Sequence, residues 1–298
     1  CISYRGPDDN GTISFQSKNN DFRIFISHRR LSIIDIEGGS QPMISPNGEV
    51  CITFNGEIYN FQVLRAELSS LGHRFKTKSD TEVLLYSYLE WGEDLVYRIN
   101  GQFSFAIWDS SKESLFFARD HYGIKPFYYH ELNEGIIFSS EIKVIRKLIG
   151  SNDFDSSTIP EYLQHRYVQN PRTMFKGIRK LSPGHLGTWD SNNGIRIRQY
   201  FSTFENDQSV ISEKSEEVLV REFRSILLQS VRKRMVSDVP FGAFLSGGID
   251  SSAIVSMMAK VSDLPVKTFS VGFGRSENAE LNYSRLVAES FDCEHYEL

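Results

Sequence analysis

The chain has 298 residues, 40% of them hydrophobic and 24% charged, with a formal net charge of −5, which suits one large or two medium soluble cores. The acidic balance argues against general binding to nucleic acid or an anionic membrane, and no apolar run reaches the roughly 18 residues of a membrane-spanning helix. Cys1, Cys51 and Cys293 form no close pair, so neither a disulfide framework nor a zinc site is legible, and a reducing cytoplasm fits best.

In chain order, Val50–Phe54 is a short β-prone run that ends in the turn-prone pair Asn55-Gly56. Phe61, Leu64, Leu68 and Leu71 recur at helical spacing and predict an amphipathic helix over 60–72. Ser79-Asp80-Thr81-Glu82 has the form of a capping box and opens a second helix to about residue 92. Strands are expected around Phe103–Ile107, Leu115–Ala118, Phe127–His130 and Gly135–Ser139, separated by short turns. Consecutive strands with short turns predict an antiparallel sheet covered by the helices.

Residues 151–210 are less regular, and 202–215 is polar. The expected division is a first domain over 1–188, a linker over 189–215 and a second domain over 216–298. In the second, a helix over 216–236 places Leu219, Phe223, Ile226, Leu227 and Val231 on one face. Strand 239–245, helix 251–262, strand 266–271 and helix 279–291 follow, an order that implies a parallel α/β sheet.

The loop Leu245-Ser246-Gly247-Gly248-Ile249-Asp250-Ser251-Ser252 follows a strand expected to be buried and precedes a helix. A helix start presents unpaired amides and a positive dipole end. Gly247 and Gly248 let the backbone approach an anion, Ser246, Ser251 and Ser252 add hydroxyls, and Asp250 is suited to hold Mg2+ between phosphate oxygens. The Lys of a Walker A loop is missing.

Ser-Gly-Gly-Ile-Asp-Ser-Ser resembles the signature of ATP pyrophosphatases. The resemblance implies that ATP is cleaved to AMP and pyrophosphate by way of an adenylate, formed when a substrate oxygen attacks the α-phosphorus and pyrophosphate leaves. It also implies that Leu245 and Val271 pack around the adenosine.

Arg5-Gly6-Pro7-Asp8, Arg29-Arg30-Leu31-Ser32-Ile33, Asn55-Gly56-Glu57-Ile58-Tyr59-Asn60 and Ser79-Asp80-Thr81-Glu82 stand in that order before the loop. With Gln41-Pro42-Met43, Arg119–Pro126 and Ser139–Lys143, they resemble the class II glutamine-dependent asparagine synthetases over essentially the whole chain. The resemblance implies an αββα N-terminal-nucleophile hydrolase-like domain with antiparallel sheets. A parallel-sheet ATP pyrophosphatase domain would follow it. It implies L-glutamine, L-aspartate, ATP and Mg2+ as substrates and cofactor, with a homodimer among the expected assemblies. Glutamine would contact Arg30, Leu31, Ser32, Ile33, Ile34, Asn55, Gly56, Glu57 and Asp80. The residue types suit this: Arg30 for the carboxylate, Glu57 and Asp80 for the ammonium group, and the Asn55 amide with the Gly56 N–H for an oxyanion hole.

The resembling family uses an N-terminal cysteine whose own amine, with a pKa of about 7.7–8.0, is the base. Cys1 is followed by Ile2-Ser3-Tyr4 and stands just ahead of Arg5-Gly6-Pro7-Asp8, so it is expected to be a packed helix cysteine rather than that nucleophile. Both ends of the family pattern are expected to lie outside this sequence. Two enzymatic alternatives share the motifs: an amidotransferase acting on a sugar acid or peptide carboxylate, and an ATP-dependent synthetase without glutaminase activity. A glutamine- or nucleotide-binding module is the non-enzymatic one.

Overall fold

A computed structural model describes residues 1–18, 21–203, 214–272 and 278–298. The chain divides into two compact units, 1–207 and 208–298.

The first unit begins with the hairpin β1 (Asp9–Gln16) and β2 (Arg23–Arg30). Next come β3 (Met43–Ile44), β4 (Val50–Ile58), α1 (Phe61–Ser70) and α2 (Asp80–Trp91). After these follow β5 (Gly101–Asp109), β6 (Ser114–Arg119), β7 (Tyr128–Leu132), β8 (Gly135–Ser139) and α3 (Ile142–Ile149). The unit closes with α4 (Ile159–His165), β9 (Ile178–Lys180), β10 (His185–Asp190) and β11 (Gly194–Gln199).

A six-stranded sheet in the order β11-β10-β6-β5-β4-β3 is antiparallel throughout. Alternation divides its residues between two cores. Ile52, Phe54, Phe103, Phe105, Ile107 and Phe116 pack with Leu64, Leu68, Val83 and Leu84 of α1 and α2. Cys51, Ala106, Trp108, Leu115 and Phe117 pack with Ile26 of β2 and Tyr129 of β7. On the far side of β7 and β8 lies α3, which buries Ile145. Helices, large sheet, smaller sheets and helix form the expected αββα layering.

Several expectations change. Asn55-Gly56 is no turn: β4 runs on to Ile58, pairing Gly56 with Phe103 of β5. Ser79 caps α2 by accepting from Thr81 N at 3.1 Å, but Glu82 does not close the box. It accepts instead from Lys76 N and Thr77 N at 2.9 and 2.7 Å, fixing the loop before the helix. Of the segment read as a linker, Trp189 and Asp190 finish β10 and Gly194–Gln199 form β11, because both pair into the six-stranded sheet. Residues 204–213 of that segment lie outside the described residues. Cys1 is exposed, because only the single turn Ser3–Arg5 is helical there and it buries nothing.

The second unit contains α5 (Glu216–Arg234), β12 (Gly242–Phe244), α6 (Ile249–Val261), β13 (Lys267–Ser270), α7 (Asn278–Ser290) and β14 (Glu294–Glu297). The three strands form a parallel sheet in sequence order. α6 and α7 lie on one face, where Ala243 and Leu245 pack with Val255 and Ala288. On the other face Phe269 and Tyr296 stack at 5.3 Å, and Phe244 is 82% exposed. The strand before the loop is therefore covered on one side, not buried on both. On α5, Leu227 and Val231 reach the core, whereas Leu219, Phe223 and Ile226 are exposed.

Candidate functional site

In the first unit the residues after β2, the end of β4 and the start of α2 are tied together by buried polar contacts. Gln41, itself buried, donates to Phe54 O at 3.1 Å and accepts from Phe54 N at 2.7 Å, next to Asn55. It also donates to Thr81 Oγ1 at 3.3 Å, next to Asp80. Asp80 accepts from Ile58 N at 3.0 Å, next to Glu57. Asp35 accepts from Lys78 N at 2.7 Å and from Gly38 N at 3.0 Å, pinning the loop after Arg30 to the residues before α2.

Arg5-Gly6-Pro7-Asp8 supports this site from behind. A Cβ on Gly6 would lie 2.3 Å from Arg29 C and 2.5 Å from Arg30 N, so only glycine lets the loop press on the end of β2. Arg29 Nε donates to Gly6 O at 2.9 Å, and Asp8 accepts from Ser32 N at 2.8 Å. Arg5 meets Glu141 at 3.4 Å, which links this loop to the Ser139–Lys143 segment.

Arg30 is 6% exposed. Its Nη1 donates to Ile36 O at 2.9 Å, and Nη2 donates to Ile34 O and Asp35 O at 3.0 and 2.7 Å. A guanidinium has five N–H donors, so Nε–H and one Nη1–H are left over by these three carbonyls. Leu31 is 57% exposed, while Ser32 and Ile34 are held by the backbone contacts already given. Gly39 makes room for the guanidinium: a Cβ there would lie 2.2 Å from Nη2.

Asn55 Nδ2 is buried and has no hydrogen-bond partner among the described residues. A buried amide without a partner is destabilising unless a ligand completes it. Gly56 beside it has φ +156°, and a Cβ there would lie 2.1 Å from Gln102 O. Asp80 is 5% exposed. Burial, with a smaller contribution from the Glu57 charge, pushes its carboxyl up to about 6 against the Ile58 N–H bond.

That carboxyl gives a test. A raised pKa means the folded chain holds the proton more tightly than the unfolded one, so the penalty grows as pH rises from about 4 to 6 and is complete above that. Asp80→Asn is expected to stabilise the unliganded chain by about 2–3 kcal/mol near pH 8, with the gain shrinking as pH falls toward 4. Urea denaturation across that range checks it; a gain independent of pH contradicts the shift.

Arg119–Pro126 is structural. Asp120, 1% exposed, accepts from the amides of Phe103, Tyr122, Ile124 and Lys125. Arg119 donates to the carbonyls of Leu181, Gly123 and Lys125.

In the second unit Gly248 caps α6 and the loop folds over itself. Ser251 and Ser252 hydroxyls donate to Gly248 O at 3.1 and 2.7 Å, and Ser246 Oγ lies 3.1 Å from Ser251 Oγ. Gly247 has φ +77°, and a Cβ there would lie 2.5 Å from Tyr283 Cβ. The first amides of α6 have no intrahelical partners. A cleft of about 380 Å³ opens at the carboxyl ends of β12 and β13, lined by Leu245, Ser246, Ser251, Ser270, Val271 and Glu280, among others. Leu245 is buried and Val271 half-exposed. The cleft and loop sit where parallel sheets bind ligands. Sequence reasoning missed Ser270, whose hydroxyl donates to Leu245 O and fixes the cleft floor.

Among the described residues no cluster of three metal-ligating side chains occurs. Magnesium that bridges phosphates needs only one or two carboxylates, and Asp250, exposed in the first turn of α6, fits that role. No described helix is long and apolar enough to cross a membrane.

A glutamine amidotransferase domain model matches residues 1–201, and an asparagine synthase model matches residues 222–298. Asparagine synthetase (glutamine-hydrolyzing) 1 of Bacillus subtilis is 39% identical over 294 residues, covering 99% of this chain and 45% of the relative. Asparagine synthetase (glutamine-hydrolyzing) 3 of the same organism is 39% identical over 287 residues, 93% of this chain and 44% of the relative. A putative asparagine synthetase (glutamine-hydrolyzing) 2 of Methanocaldococcus jannaschii is 33% identical over 315 residues, 99% of this chain and 59% of the relative. The chain thus spans about half the length of these relatives. With the amidotransferase match over 1–201 and asparagine synthase sequence following it, the chain belongs to the glutamine-hydrolysing asparagine synthetase family.

Proposed function

We propose that this chain carries the glutamine pocket and the ATP-activating loop of an asparagine synthetase. The observation that carries the reading is Asn55 Nδ2, a buried donor without a partner among the described residues, beside Gly56 on β4, whose end is tied to the buried Asp80 carboxyl through Ile58 N. Glutamine supplies what each group lacks. Its carboxylate pairs with the Arg30 guanidinium through a donor that the loop carbonyls leave over, beside the Leu31–Ile34 backbone. Its ammonium group lies between Glu57 and Asp80. Its amide carbonyl accepts from Asn55 Nδ2 and the Gly56 N–H, which hold the oxyanion as the amide carbon becomes tetrahedral. Addition of the N-terminal cysteine thiol that the family uses would release ammonia and leave a glutamyl thioester, and water would then release glutamate and restore the thiol.

In the second unit the first amides of α6 would face the pyrophosphate of ATP, Leu245 and Val271 would flank the adenosine, and Asp250 would hold Mg2+. The ion supplies charge neutralisation on the phosphates. The aspartate side-chain carboxylate attacks the α-phosphorus and pyrophosphate leaves. Ammonia then displaces AMP from the acyl-adenylate to give asparagine. The domain reading is a glutaminase domain of the N-terminal-nucleophile type followed by the beginning of an ATP pyrophosphatase-type domain.

Calorimetry tests the division of labour. The chain is expected to bind L-glutamine and Mg–ATP separately. Arg30→Ala is expected to weaken glutamine binding roughly a hundredfold, leaving Mg–ATP binding intact. Asp250→Ala, at an exposed position, is expected to weaken Mg–ATP binding about tenfold and spare glutamine. Equal loss of both ligands in either variant contradicts two independent sites.

A further inference from the structure

β2 and β4 touch across the seam between their sheets. Ile26 and Cys51 share one apolar cluster. Two residues on, His28 Nδ1 lies 3.0 Å from Thr53 Oγ1. Two residues further come Arg30 and Asn55. The partner strand β1 changes character at the same place, pairing Ile13 with Ile26, Gly11 with His28 and Asp9 with Arg30. The seam between the two sheets therefore turns from apolar to polar at His28–Thr53, one rung before the pocket.

That rung has little slack. A Cβ on Gly11 would lie 2.4 Å from Gln41 O, so the loop that carries Gln41 presses on the hairpin beside His28. Burial, reinforced by the Arg30 charge and opposed by Asp9, holds the imidazole down at about 4, so it is neutral at working pH. A neutral imidazole makes one directional bond to the hydroxyl whichever tautomer is present. Its Nε2 makes no hydrogen bond among the described residues.

We propose that His28 is a positioning residue for the glutamine pocket: its Nδ1–Thr53 Oγ1 bond sets β2 against β4, and with it the placement of Arg30 relative to Asn55. The inference rests on the glutamine reading of that pocket. It concerns geometry and assigns His28 no contact with substrate.

Four variants of the 298-residue chain test it. Asparagine places its amide where Nδ1 stood, so His28→Asn keeps the bond, as does Thr53→Ser; His28→Leu and Thr53→Val remove it. The expected result is glutamine affinity lowered roughly tenfold in His28→Leu and Thr53→Val but within about threefold of wild type in His28→Asn and Thr53→Ser. The Asn55 side-chain amide signal in nitrogen–proton correlation spectra should move in the two removing variants and stay in the two keeping ones. If His28→Leu fails to fold, Thr53→Val carries the same comparison. Wild-type affinity with an unmoved Asn55 signal in Thr53→Val overturns this inference and leaves the pocket reading standing. Wild-type chain that folds and binds no glutamine overturns the pocket reading, and the Asn55 signal then decides the positioning claim.

Discussion

Gly56→Ala is expected to abolish glutamine binding and to lower the stability of the first unit by about 3 kcal/mol or more. A methyl group there would sit 2.1 Å from Gln102 O and 2.8 Å from Phe103 Cα, both backbone atoms of β5, with Phe54 Cε2 at 2.9 Å. Backbone of a central strand cannot step aside without breaking the ladder that carries Phe103 and Phe105 into the core. The strain is added to the clash, because φ +156° is a conformation that side chains disfavour. Gly48→Ala is the control: its φ is +78°, but nothing lies within 4 Å of the added methyl. That variant should cost only about 1 kcal/mol and leave glutamine binding unchanged. Urea denaturation with calorimetry separates the two. Equal losses in both variants contradict the packing argument.

Gly247→Ala is expected to have a comparable effect in the second unit. The loop turns through φ +77° with its backbone against α7, and the methyl would meet Tyr283 Cβ at 2.5 Å and Ser284 N at 2.7 Å. Relief requires the loop to lift from α7, which displaces the first amides of α6 and opens the cleft lined by Ser246 and Ser251. Loss of Mg–ATP affinity by at least about a hundredfold is expected, with glutamine affinity unchanged. Gly248→Ala provides the contrast, since its nearest neighbour is Ser246 Oγ at 3.4 Å and its φ is −72°. Fluorescence titration with a nucleotide analogue reads both variants; similar affinity in the two contradicts the role given to Gly247.

The elements that periodicity announces were legible in the sequence. Leu64 and Leu68 on α1, and the alternation of Phe103, Phe105 and Ile107 on β5, point to the core they occupy. The pair Asn55-Gly56 misleads because its local preference is for a turn, while the long pairing with β5 keeps it in a strand. Tertiary pairing wins there, and the glycine serves close approach to Gln102 rather than a reversal of the chain. Glu82 carries the spacing of a capping box, yet its carboxylate is taken by the loop amides of Lys76 and Thr77. Sequence spacing fixes who can reach, not who arrives.

The candidate site shows the same division. Residue types pointed to Arg30, Asn55 and Asp80, but the Arg30 bonds to Ile34, Asp35 and Ile36 carbonyls depend on how the following loop folds back. His28 gave no signal of its own, because a lone histidine on a strand is unremarkable until Thr53 is seen opposite it. In the second unit, the run before the loop reads as a buried strand because it is apolar. Its exposed side, at Phe244, emerges only from the sheet, where α6 and α7 share one face.

The measurement that bears most directly on the glutamine pocket is a titration of the isotopically labelled chain with L-glutamine, following the Asn55 side-chain amide. Nδ2 is buried and unpartnered among the described residues, so its protons should shift strongly downfield as a carbonyl oxygen arrives, in step with the Asp80 and Glu57 signals. D-glutamine and Mg–ATP should leave that signal in place. An Asn55 amide that does not respond to saturating L-glutamine, in a chain whose core signals are intact, contradicts the account.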